Sequence, residues 1–133
     1  MSYIMMKNRK LEAVEKIKSG CYNCAQSVIC TYCDKTGLDE QTSFNLGNSF
    51  ACGMGNMEET CGALVGAGIV LGLTHKDKVT SLKNMSQIIS KFQERNGATQ
   101  CKILKGKETG KVLRRCPDCV ADVCELLEEV LEN

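Results

Sequence analysis

One stripe of side chains constrains the fold more than any other feature of the chain. Val79, Leu82, Met85, Ile89 and Phe92 recur at helical spacing, which predicts a long helix with one apolar face. Pro117 is the only proline, and alternating β-branched runs are few, so little competes with helix elsewhere. Leu11, Val14 and Ile17 predict a first helix stopped by Gly20, and a second runs from Cys24 to about Lys35 with Gly37 beyond it. A third starts at Asp39 and ends near Phe50. Cys52-Gly53-Met54-Gly55 reads as a loop, because its glycines favour positive φ. A Gly/Ala-rich helix follows from about Met57 to Leu73, and then the striped helix, which Asn96-Gly97 ends. A short turn or helix at Cys101 to Lys105 and a polar loop, Gly106 to Gly110, precede a last helix. That helix opens at Cys116 or Pro117 and runs to the C-terminus.

These elements predict an all-α fold: a compact, single-domain bundle of five to six helices covering residues 1–133. A chain of this length buries roughly two-thirds of the surface it exposes when unfolded, so it needs no disulfides to fold. The GxxxG spacings Gly62/Gly66 and Gly68/Gly72 predict that the Gly/Ala-rich helix lies centrally, with neighbours close to its backbone. Each glycine costs about 1 kcal/mol of helix stability relative to alanine. A net charge of +1 and scattered basic residues give no reason to expect nucleic acid or an anionic membrane as partner. Met1 to Lys10 lacks the apolar stretch of a signal peptide, and the longest apolar run, Gly62 to Leu73, is far short of a membrane span. The expected location is the cytoplasm, where thiols stay reduced.

Against that background ten cysteines point to thiol chemistry or metal binding rather than structural cross-links. Several are expected only to pack as small hydrophobes. Three pairs have CxxC spacing: Cys21/Cys24, Cys30/Cys33 and Cys116/Cys119. At 100° per residue, Cys116, Cys119, Val120, Val123, Cys124, Leu127 and Val130 fall within an arc of about 140°, so the last helix points cysteines and apolar stripe the same way. Cys30 falls opposite the face of Cys24, which marks the second pair as incidental.

Helix openings select four cysteines. Asn23 with Gln26 forms a capping-box pattern before Cys24 in the first turn, and Asn56 with Glu59 repeats it before Cys61. Thr99 is a candidate cap ahead of Cys101, and Cys116 precedes a proline suited to the first helical position. Positive partial charge at a helix start favours thiolate, the better nucleophile and metal ligand. Cys116-Pro117-Asp118-Cys119 is the strongest local signal, since a proline-containing CxxC at a helix start suits dithiol–disulfide exchange. The βαβ pattern of a thioredoxin is absent. Cys61 or Cys116 is the expected attacking thiolate; Arg114 and Arg115 before Cys116 favour its ionisation, whereas Glu58 and Glu59 before Cys61 oppose it, which tilts the choice slightly towards Cys116. His75, the only histidine, reads as a solvated helix-end residue, Met54 and Met57 as lid or core, and Glu125, Glu128, Glu129 and Glu132 as a solvated face.

Cys61-Gly62-Ala63-Leu64-Val65-Gly66 resembles the CGAxxG block of the redox-active C_GCAxxG_C_C family. Asn23-Cys24-Ala25-Gln26-Ser27-Val28 stands upstream, as in that family. Gly97-Ala98-Thr99-Gln100-Cys101 follows, and the fourth element lies within Cys116-Pro117-Asp118-Cys119-Val120. The resemblance spans about Leu11 to Leu131 and implies a small helical protein with redox activity, naming no substrate. Cys21, Cys30, Cys33, Cys52, Cys119 and Cys124 are additional to its pattern, and Cys52 stands in a loop resembling a glycine-rich stretch of the family.

Three readings follow. In the first, Cys24, Cys61, Cys101 and Cys116 form a catalytic thiol–disulfide site with no cofactor, and Cys119 or Cys21 serves as resolving thiol. An enzyme of this kind would be a thiol–disulfide oxidoreductase, acting on a redox partner, a small electrophile or a disulfide. In the second, the same four sulfurs hold Zn²⁺ or an iron–sulfur cluster with an electron-transfer role. Cys21/Cys24 with Cys116/Cys119 would be the alternative zinc ligands. In the third, the chain is a non-catalytic helical interaction domain.

Overall fold

The computed structural model describes residues 8–131. Among them are α1 (Arg9–Lys18), α2 (Cys24–Thr31), α3 (Cys33–Thr36), α4 (Glu40–Leu46), a π-helical turn (Gly53–Met57), α5 (Gly62–His75), α6 (Lys78–Asn96), α7 (Cys101–Lys105) and α8 (Cys116–Leu131). The described residues are therefore all-α, as expected. The helices outnumber the five or six predicted because the chain breaks at Tyr32, splitting the second predicted helix into α2 and α3, and because α7 is a true short helix. The predicted third helix shortens to α4, ending at Gly47. The Gly/Ala-rich helix starts at Gly62 rather than Met57, since Cys52, Met54 and Met57 all have positive φ. Among the described residues no helix is long and apolar enough to cross a membrane.

Local chemistry sets most of the helix ends. Asn8, Asp39 and Asp77 cap α1, α4 and α6 by accepting from the backbone N–H of Leu11, Thr42 and Thr80, each such cap being worth about 1 kcal/mol. Gly37, Gly97 and Gly106 end α3, α6 and α7 in the left-handed conformation.

Helices α5 and α2 form the centre. Every residue of α2 is buried, and α5 packs against α2, α3, α6 and α8. Val28, Tyr32, Leu64, Val70, Leu71, Phe92, Val120, Val123 and Leu127 fill the space between them. Gly62 and Gly66 do allow close approach: a Cβ on Gly66 would press on Ala25 and Val28 of α2, whereas one on Gly72 would meet nothing. Only the first of the two predicted glycine pairs is therefore a packing device.

The α6 stripe is half core. Ile88 and Phe92 are buried and Met85 and Ile89 pack against the core, but Val79 and Leu82 are 71% and 66% exposed. The striped face outruns the core at the N-terminal end of the helix. Helix α8 behaves as its arc predicts, burying Cys119, Val120, Val123, Cys124, Leu127 and Val130. Its glutamates do more than face water. Glu125 pairs with Lys10 and Arg95, Glu129 with Lys91, and Glu128 accepts a hydrogen bond from the Tyr32 hydroxyl at 2.8 Å. Glu132 lies outside the described residues.

Candidate functional site

The four cysteines selected by their helix openings converge at one end of the α2–α5 pair. Cys24 and Cys101 are the first residues of α2 and α7, Cys116 the first of α8, and Cys61 the N-cap of α5. All four line one cavity of about 480 Å³, together with Cys52, Lys105, Asn23, Ile17, Ala51, Met57 and Gly62.

Three local structures hold this arrangement. First, the predicted capping box is present at α2: Asn23 accepts from Gln26 N–H at 2.7 Å, and Gln26 accepts from Asn23 N–H at 2.9 Å. Second, the segments entering α5 and α7 pair through an isolated antiparallel bridge between Thr60 and Gln100. Cys61 N–H donates to Thr99 O at 2.8 Å and Cys101 N–H to Glu59 O at 2.9 Å. This pairing fixes Cys61 beside Cys101 and replaces the side-chain caps expected from Asn56 and Thr99; Asn56 instead accepts from Glu58 N–H.

The third is the turn from Cys52 to Met57, closed by Met57 N–H on Cys52 O at 2.7 Å. Cys52, Met54 and Met57 are left-handed there, at a cost on the order of 1–2 kcal/mol each. Gly53 must be glycine on two counts: its φ is +57°, and a Cβ would sit 2.7 Å from that of Cys101. Cys52 is thereby set beside the site, its backbone N–H turned onto the Cys24 sulfur. Gly62 explains the glycine of the CGAxxG block. A Cβ at that position would collide with Cys24 Sγ and the Phe50 carbonyl.

The electrostatics single out Cys61. The Cys119 thiol is directed at its sulfur, burial opposes ionisation, and the backbone N–H groups of Ala63 and Leu64 with the Lys105 ammonium favour it. The outcome is a thiol held well below its ordinary value. Cys119 moves the opposite way: acting as donor to Cys61 and buried, it keeps its proton. Its other acceptor within reach is the Arg114 carbonyl, 3.9 Å away. Cys24 is pushed up to about 11, chiefly by burial and then by Cys61, and burial likewise raises Cys101. Burial works against the Lys105 ammonium, but the sulfurs of Cys119, Cys116 and Cys61 outweigh it and keep its proton on.

The charges adjacent in sequence do not decide the matter. Glu58 is engaged with Lys102 and Lys107, and Arg114 is turned onto Asp122. Those neighbouring charges are thus partly spent on other partners.

The remaining sequence candidates fall elsewhere. Cys21 is exposed in the turn before α2 and does not line the cavity. Cys30 is buried under α4, its sulfur 3.9 Å from the Glu40 carbonyl, and Cys33 lies 3.4 Å from the Ser43 hydroxyl. Met57 lines the cavity and Met54 is half exposed. His75 closes α5 beside Asn84, 2.9 Å away. Lys105 and Cys52 were not among the expected site residues. Lys105 stands four residues after Cys101 on the same helix face, a spacing that could have revealed it. Among the described residues no three histidine, cysteine, aspartate or glutamate side chains converge as metal ligands.

A family model described as "Putative redox-active protein (C_GCAxxG_C_C)" matches residues 22–130. No curated protein and no solved structure matches the chain.

Proposed function

Because this chain belongs to the C_GCAxxG_C_C family of redox-active proteins, we propose that its cavity carries out reversible thiol–disulfide exchange with Cys61 as the attacking thiolate and Cys119 as the resolving thiol. The observation that carries this reading is the convergence of Cys24, Cys61, Cys101 and Cys116 on one cavity, supported by Cys119 as proton donor to Cys61. One buried sulfur is stabilised as an anion by a proton that its neighbour retains. A thiolate is the nucleophile in disulfide exchange, and a neighbouring thiol completes the reaction.

The step balances without a further reagent. Cys61 sulfide attacks one sulfur of a substrate disulfide; a Cys61–substrate bond forms, the substrate S–S bond breaks, and the departing thiolate takes a proton from water. Cys119 then attacks the Cys61 sulfur, releasing the second substrate thiolate, which leaves with the proton Cys119 held. Two electrons pass to the substrate and a Cys61–Cys119 disulfide remains. Cys116 stands at the cavity wall and is less buried than Cys119. It can attack Cys119 in turn, which frees Cys61 and leaves a Cys116–Cys119 disulfide for an external dithiol to reduce. Cys24 and Cys101 close the cavity around the reacting pair.

Thiol titration of protein purified without air tests the proposal. Mild oxidant should remove free thiols in pairs, reversibly, and peptide mapping should find Cys61 in the first disulfide formed. Serine at Cys61 or Cys119 should abolish this behaviour, serine at Cys116 should block the release of Cys61, and serine at Cys101 should slow the exchange, while Cys30→Ser leaves it intact. Equal behaviour of all five variants, or stoichiometric zinc or iron in the purified protein, would overturn it.

A further inference from the structure

The cavity wall is chemically one-sided. Ile17, Ala51, Met57 and Gly62 supply carbon surface, the cysteines supply sulfur, and apart from the Cys61 thiolate proposed above Lys105 is the only charged side chain among the described residues that line it. That ammonium already faces Cys116 and is held near Cys61 and Cys119. An anionic group entering the cavity would lose its water and meet a cation already engaged by sulfur, and a second anion would meet none at all. An apolar body, by contrast, gains about 25 cal/mol for every Å² it removes from water. A volume of about 480 Å³ lies within the range of small-molecule sites, roughly 300–1,000 Å³.

We propose that this cavity takes neutral small-molecule disulfides with apolar substituents and discriminates against disulfides that carry carboxylates. The inference rests on the exchange reading above and adds to it the class of substrate. It follows from the placement of one cation, already engaged by sulfur, in a wall whose other lining residues besides the cysteines carry no charge. Asn23, the other polar side chain of the lining, is occupied as the cap of α2 and as a donor to the Gly47 carbonyl, so it offers no compensation.

The test uses two probes of matched length: di-n-propyl disulfide and 3,3′-dithiodipropionate, which differ by two terminal carboxylates. Fully reduced protein, freed of reductant, is mixed with each at neutral pH. Formation of the Cys61–Cys119 disulfide is followed by quenched peptide mapping. Each rate is divided by the rate of the same probe with dithiothreitol, which removes intrinsic reactivity and simple repulsion between thiolate and carboxylate in water. The neutral probe should remain faster by about tenfold or more after this correction, a ratio that corresponds to roughly 1.4 kcal/mol. Ile17→Lys, which adds a second cation to the wall, should narrow that ratio by speeding the dicarboxylate. Equal corrected rates, or a faster dicarboxylate, overturn the specificity and leave the exchange reading standing. Failure of both probes to form the Cys61–Cys119 disulfide overturns the two together.

Discussion

The thiol of Cys119, in the first turn of α8, stands as proton donor against the sulfur of Cys61 at the head of α5. Their separate environments break the symmetry of the pair. Cys61 also faces two backbone N–H groups, whereas Cys119 is enclosed at 0% exposure against the Arg114 carbonyl; Lys105 lies near both sulfurs and does not separate them. The proton therefore resides on Cys119.

This asymmetry predicts selective labelling. As pH falls from 8 to 7, alkylation of Cys61 by iodoacetamide should decline little, because its thiol is held below the ordinary value, while Cys24, pushed up to about 11, stays protonated. Peptide mapping at pH 7 should find Cys61 modified about tenfold faster than Cys24 or more, a ratio set by thiolate fraction. Cys119→Val removes the donor and should shift the Cys61 profile to higher pH, whereas Cys119→Ser retains an O–H donor and should shift it less. A Cys61 profile unchanged by Cys119→Val would show that the neighbour contributes nothing.

Glycine at position 62 is required by space and glycine at position 72 is not. Gly62→Ala drives a methyl into Cys24 Sγ and the Phe50 carbonyl, an overpacking expected to cost about 1–3 kcal/mol and to displace the α2 end of the cavity. Gly72→Ala places its methyl in open space and should stabilise α5 by up to about 1 kcal/mol. Urea denaturation of the two variants measures both effects.

Asp122 ties the start of α8 to α6. It is 3% exposed and accepts from Arg114 Nε at 2.9 Å, Arg95 Nη1 at 3.0 Å and Asn96 Nδ2 at 3.1 Å. Burial opposes its charge, but Arg114, Asn96 and Arg95 outweigh that and hold the carboxyl below its usual range. A depressed carboxylate stabilises the fold at neutral pH and loses that contribution as pH falls through its folded value. Asp122→Asn should therefore cost about 1.5–3 kcal/mol at pH 7 and flatten the acid side of the stability profile.

Buried thiols predict the alkaline side. Burial, reinforced by Glu128, pushes Cys124 up to about 12, and Cys30 is raised as far by burial and Glu40. Such groups ionise first in the unfolded chain. Their contribution is complete below the ordinary thiol value and is lost as pH rises towards about 12, with a limiting slope of about 1.4 kcal/mol per pH unit for each. Cys124→Ala should reduce that slope in denaturation experiments between pH 8.5 and 11 without altering Cys61 labelling.

Much of this molecule can be read from the chain, and the parts that cannot share a cause. The all-α fold, the α8 arc, the Asn23–Gln26 box and the gathering of Cys24, Cys61, Cys101 and Cys116 all follow from period, caps and motif. The lowering of the Cys61 thiol does not, because its donor is Cys119 and its cation Lys105, and neither is near it in sequence. Neighbouring charges are a weak guide for the same reason: Glu58 and Arg114 are engaged by partners that only the fold supplies. Val79 and Leu82 show a further limit, since periodicity gives a face but not how far the core extends along it.

The backbone bridge between Thr60 and Gln100 gives the site an unusual dependence. It clasps the two ends of the α5–α6 hairpin, so the amide hydrogens of Cys61 and Cys101, which form the clasp, report directly whether the reactive sulfurs are assembled. Loosening the hairpin would part them without unfolding either helix. Slow solvent exchange at those two amides is thus a chemical signature of a competent protein, and their early release would mark its silent, intact but disengaged form.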